Sequence, residues 1–197
     1  MNFESIQPRS YGNEDAAAFL NGTATDDQGR SVTDYLAFDA ETWERCHNHI
    51  QWAFPSHLPS RYNPNAPVVN IPDLINGADG LNSDGLDNLT KLHDAFLATL
   101  GIKHTDDGTH FDWDTGRHLY THDGVTDFWL REEDHNHLRI TRVLLLLSYW
   151  NDAQAKALLR LLMNMTLYAM RDVNPRRVMF TGETLAYWYK AVYEDDN

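Results

Sequence analysis

Apolar side chains recur at helical spacing along most of this chain, and the interruptions between those stretches predict its elements. Trp43, Cys46, Ile50, Ala53 and Phe54 line one face of a segment that begins behind Asp39, a suitable N-cap, and stops at Pro55. Leu86, Leu89, His93, Phe96, Leu97 and Leu100 mark a second helix over 86–100, with Gly101 as its stop. Three more helical segments follow over 134–150, 152–171 and 175–193, separated by "ND" and "DVNP", and Gly182 is a break point in the last. Before residue 40 the chain is acidic and broken, with one short helix expected over 13–20 between Asn13 and Gly22.

Two connections contrast with this pattern. Pro55, Pro59, Pro64, Pro67 and Pro72 fix the backbone and remove donors, so 55–72 is expected to be a rigid, extended crossing segment. The stretch "IKHTDDGTHFDWD" places Asp107-Gly108 between short alternating flanks, which predicts a hairpin. The expected fold is all-α: a single helical domain over 35–193 with one small β-hairpin, behind an acidic, partly irregular segment at 1–34.

The 197 residues suffice for one ordinary core. Composition narrows the function. A formal net charge of −13 opposes extended contact with nucleic-acid phosphates. The charge is uneven, because 104–134 holds nine acids against two arginines, whereas 135–190 holds eight Lys and Arg against three acids. An anion could be held among the later helices, and the acidic stretch would face solvent or a basic partner. No apolar run is long enough to span a bilayer, and the N-terminus lacks the pattern of a signal peptide. With the single Cys46, this predicts a soluble, cytoplasmic protein.

The triplet His-Asn-His occurs twice, in "CHNHIQWAFP" at 46–55 and in "DHNHLRITRVLLLL" at 134–147. Histidines two apart on a helix diverge by about 200°, so neither triplet chelates a metal by itself. They are expected to serve as helix-start groups tying helices together. His135, Arg139 and Arg142 fall at i, i+4 and i+7 on one stripe, while His47 and Gln51 lie one turn apart. If these helices pack, the five side chains form a polar cluster suited to a carboxylate or phosphate, or else a structural ion-pair network with groups such as Glu44 or Asp134. Asp112 and Asp114 on a strand face, or His118 and His122 on a helix face, invite a metal reading. A solvated acidic loop explains them as well, and no calcium loop, nucleophile elbow or glycine-rich phosphate loop is present. No metal and no cofactor are therefore expected, and no catalytic residue is assigned.

Beyond these patterns, the sequence resembles the conserved region of the opioid growth factor receptor family over roughly 35–193. The resemblance is carried by His47, Asn48, Ile50, Gln51, Trp52, Phe54 and Pro55, by Gly101, Ile102 and Lys103, and by His135, Asn136, Leu138, Arg139, Ile140, Thr141 and Arg142. "LAYWYKAV" at 185–192 echoes the family's last helix. His49 and His137 depart from it, since the family more often has Tyr or Asn there. The resemblance implies a short, stand-alone microbial or viral member and a peptide-binding role of the kind the animal receptors have.

Three functions follow as expectations. The first is a helical module that binds a protein or peptide, its candidate site formed by His47, Gln51, Trp52, Arg61, Asn63, His135, Asn136, Arg139 and Arg142. The second is an enzyme on an anionic small molecule, with Arg139 and Arg142 as a clamp and His135 or His47 as acid or base. The third is an acidic decoy of a basic protein surface. The oligomeric state stays open.

Overall fold

The computed structural model describes residues 11–60, 62–105, 108, 110–113, 129, 134–172 and 182–194. Among them the chain is mostly helical with one small two-stranded sheet, which is the expected fold class. It divides into two compact units, Met1–Leu92 and His93–Asn197.

The first unit opens with α1 (Asn13–Leu20), whose N-cap is Gly12 rather than Asn13, with the Asp15 carboxylate accepting from the Gly12 amide. α2 (Val32–Leu36) was not expected. Its start is a capping box in which Ser31 and Asp34 each accept from the other's amide. Five residues are too few for a period to show. Phe19 packs against Tyr35 and Trp52 with ring centroids 5.1 and 5.5 Å apart, and all three side chains are buried. A large side chain removed from water in this way stabilises by roughly 1.5–3 kcal/mol.

The single helix expected behind Asp39 is two. α3 (Ala40–Arg45) ends where Cys46 turns extended, at φ −81° and ψ 121°, and α4 (Ile50–Ala53) begins after His49. The break has a packing reason: His49 and Trp43, six residues apart, would point about 120° apart on one helix. With the helix broken, their rings meet at 4.7 Å, and His49 also touches Tyr35 and Phe38. The proline-rich segment is not extended throughout, because a turn closes from Asn63 to Ala66 and Ser56 pairs with Val68. Pro72, expected to exclude helix, lies in the first turn of α5 (Ile71–Asn76), where no amide donor is needed.

α6 (Ser83–Thr99) runs through the division between the units and stops at Gly101, which takes φ 73° as a helix-ending glycine does. In the second unit, β1 (Ile102–His104) pairs antiparallel with β2 (Phe111–Trp113), as expected, and Gly108 turns the hairpin at φ 68°. α7 (His135–Trp150), α8 (Asp152–Asp172) and α9 (Gly182–Tyr193) pack on one another around Leu144, Leu146, Leu147, Leu158, Leu162 and Trp188. The portion of the last expected helix before Gly182 lies outside the described residues, as do Asp106, Asp107, Asp114, His118 and His122. No helix among the described residues is long and apolar enough to cross a membrane.

Candidate functional site

The first His-Asn-His triplet occupies the break between α3 and α4, and an anchor from earlier in the chain holds it. The Asp26 carboxylate is buried and accepts from the Arg30 Nε at 2.7 Å, from the Tyr35 hydroxyl at 2.6 Å and from the amides of Gln28 and Arg30. Burial and the bond to Asp26 both push the Tyr35 hydroxyl far above its ordinary pKa, so it remains a donor. Arg30 then reaches Cys46 Sγ and Asn48 Oδ1, each at 3.1 Å. Burial works against its charge, but the Asp26 hydrogen bond and carboxylate outweigh that and raise its pKa. Sequence reading passed over Asp26 and Arg30. Their signal was weak, an acid and a base at i, i+4 outside any expected helix.

Two of the expected residues of this unit, Gln51 and Asn63, are tied together through Ser60. Gln51 Nε2 donates to Ser60 Oγ at 3.0 Å, the amide of Asn63 donates to the same oxygen, and Asn63 Nδ2 donates to the Asn48 carbonyl. Trp52 is buried and its indole N–H donates to Asp27 at 2.9 Å. His47 is exposed at the break, and Arg61 lies outside the described residues. These bonds fasten the proline-rich segment to α4.

The second triplet starts α7, as expected. Asp134 is the N-cap, its carboxylate accepting from the Asn136 amide at 2.9 Å. His137 is buried; its Nε2 donates to the Trp129 carbonyl at 2.8 Å, and its own carbonyl accepts from the Trp188 indole at 3.1 Å. That bond ties α7 to α9, and burial lowers the His137 pKa, which keeps the ring neutral. Asn136 and Arg139 are both buried and joined at 3.3 Å, whereas His135 and Arg142 are half-buried. Desolvation lowers the Arg142 guanidinium to about 10, still cationic at neutral pH. The second histidine of each triplet, His49 or His137, is the one sunk in aromatic packing. His47, Gln51, Trp52 and Asn63 belong to the first unit, and His135, Asn136, Arg139 and Arg142 to the second.

Two further features of the second unit were absent from the expectation. The first is a cleft of about 270 Å³ lined by Leu145, Ser148 and Tyr149 of α7, Asp152 and Lys156 of α8, and Tyr193 and Glu194 at the end of α9. Lys156 bonds to Asp152 at 2.7 Å and lies over the Tyr193 ring at 5.5 Å, and Tyr193 in turn meets Tyr189 with centroids 4.6 Å apart. Tyr187, Tyr189 and Tyr193 each stay about half exposed. The "YWYKAVY" run supplies these side chains, and only Trp188 of its aromatic residues is core.

The second feature is a trio at the start of the unit. Asp94 Oδ1 lies 3.2 Å from His93 Nδ1 and 3.0 Å from His104 Nε2. Past Gly101 the chain sets His104 of β1 against Asp94 of α6, a juxtaposition that no local spacing announces. Compared with family models, curated proteins and solved structures, the chain gives no match.

Proposed function

We propose that this chain is a helical binding module, of the kind its resemblance to the opioid growth factor receptor region implies, and that it holds a peptide segment of a protein partner in the tyrosine-rimmed cleft of α7, α8 and α9. The observation that carries this reading is the exposure of Tyr189 and Tyr193 beside that cleft. Tyrosine offers a large, rigid contact area at low entropic cost and is enriched where proteins bind each other. The cleft's size points the same way. At about 270 Å³ it falls just below the lower end of roughly 300 Å³ at which small-molecule pockets begin, so it suits one or two inserted side chains better than a whole substrate.

Charge selects the peptide. On a chain of net charge −13 whose 135–190 stretch is locally basic, the cleft itself is lined by two acids, Asp152 and Glu194, against Lys156, so the segment it accepts carries an apolar anchor flanked by Lys or Arg. The same charge disfavours extended nucleic-acid contact. A soluble, cytoplasmic setting fits the lone Cys46. The motif residues are then scaffold, with Gln51, Asn63, Asn136 and His137 already engaged in internal hydrogen bonds.

The test is selection from a displayed library of random peptides, followed by calorimetry on the enriched sequences. Enrichment of basic-flanked apolar anchors, with affinity falling about tenfold or more in Tyr193→Ala, supports the reading, since one interface hot spot is worth 2 kcal/mol or more. Enriched peptides that bind Tyr193→Ala as tightly as the parent protein would refute it.

A further inference from the structure

We propose that His93, Asp94 and His104 form a binding site for a divalent first-row transition ion of the zinc class, held by three side chains with coordination left open to solvent. Two donors at 2.0–2.1 Å from a tetrahedral ion stand about 3.3–3.4 Å apart. The two measured separations, 3.2 Å between His93 Nδ1 and Asp94 Oδ1 and 3.0 Å between His104 Nε2 and Asp94 Oδ1, are within a few tenths of an ångström of that spacing. All three donor atoms lie within 4.8 Å of one another. Two imidazoles with one carboxylate are also the donor set that zinc and its neighbours favour, whereas calcium and magnesium seek oxygen.

The anchoring is graded in a way that suits capture of an ion. His93 is fixed by α6 and buried, with its ring edge to face against Phe111 and Trp150 at 5.8 and 5.9 Å. Burial lowers its pKa, an effect that Asp94 only partly opposes, so the ring is neutral and only the single Nδ1 proton has to leave the donor nitrogen. Among the described residues its buried Nε2 has no hydrogen-bond partner, and the ring's hydrogen bond is made through Nδ1, the atom facing Asp94. Asp94 is half exposed, and hydrogen bonding and charge from the two histidines outweigh its burial to keep it ionised. His104 ends β1 and is a quarter exposed, so its ring can swing to close the remaining distance. The open side of the ion would face water, as in sites where zinc retains a non-protein ligand.

Binding needs no net proton release from neutral rings. His93 shifts its proton from Nδ1 to Nε2, His104 shifts its own from Nε2 to Nδ1, and Asp94 exchanges two hydrogen bonds for one bond to the ion. The ion would pin the hairpin to α6.

The experiment titrates chelator-stripped full-length protein with Zn²⁺ by calorimetry and with Co²⁺ by visible absorption. One ion per chain is expected, with cobalt bands of a tetrahedral or five-coordinate site and a raised melting temperature. Asp94→Asn and His104→Ala change half-exposed and quarter-exposed side chains, so both are expected to keep the parent fold, which circular dichroism checks. Each should weaken binding by more than the about 10–100-fold that losing an outer-shell partner costs. Absence of binding by the parent chain, or affinity retained in either variant, would overturn the assignment.

Discussion

Replacing Asp26 by Asn tests whether the buried anchor of the first unit holds the His-Asn-His break in place. The Asp26 side chain is fully buried and its two oxygens accept at least four hydrogen bonds, two from backbone amides, one from Tyr35 and one from the Arg30 Nε. An amide has one accepting oxygen. If it keeps the backbone bonds, its NH₂ group points at the guanidinium of Arg30, donor against donor and without the charge that offset the cation's burial. Removing one partner of a buried pair costs about 3–5 kcal/mol. Arg30 retains 22% side-chain exposure and can rehydrate in part, so the lower end, about 3 kcal/mol, is expected. Urea unfolding at pH 7 followed by circular dichroism measures it, with the slope m unchanged. The Tyr35→Phe variant should couple strongly with Asp26→Asn in a double-mutant cycle, since both act on one oxygen. A loss below about 1 kcal/mol, or full additivity of the two changes, would refute the claim that this carboxylate organises the unit.

Other outcomes follow from the same structure. His93 and His137 have lowered pKa values in the fold, so the unfolded chain takes up protons first as pH falls through 6.5. Stability should be full above that value and decline below it, by up to about 1.4 kcal/mol per pH unit for each histidine, and a flat profile between pH 7 and 5 would contradict this. Gly101→Ala forces an L-residue to φ 73° at the end of α6 and should cost roughly 1–2 kcal/mol in the same urea assay. Asp134→Ala removes the cap of α7 and should cost about 1 kcal/mol, with Asp134→Ser restoring most of it. Trp188→Ala, which empties a fully buried site and frees the His137 carbonyl from the indole, should cost about 3–5 kcal/mol.

The long helices were legible because their periods run over several turns, as in Leu86 to Leu100 and in the apolar run behind Asp134. Gly101 and Gly108 were legible as backbone signals for the same local reason. What escaped was either too short for a period or decided by distant contacts. α2 and α5 have five and six residues, and the α3–α4 break answers to His49 packing with Tyr35, which lies in another helix. The second histidine triplet was expected to start and tie a helix, and it does so through the Asp134 cap and the bond from Trp188. The expected cluster asked exposed chemistry of residues such as Gln51, Trp52, Asn136 and Arg139 that folding buries. His93 entered as one apolar-face position among six, and the path of the chain past Gly101, rather than any local spacing, brings His104 to its neighbour Asp94.

The central claim is that the motif residues build the scaffold while the tyrosine-rimmed cleft does the binding. Amide and side-chain NMR shifts of the labelled protein, recorded during titration with a selected basic-flanked peptide, test it most directly. The account predicts perturbations centred on Tyr149, Lys156, Tyr189 and Tyr193, with Gln51, Asn63, Asn136 and Arg139 unchanged. Shifts centred on those four motif residues, with the tyrosines silent, would contradict it.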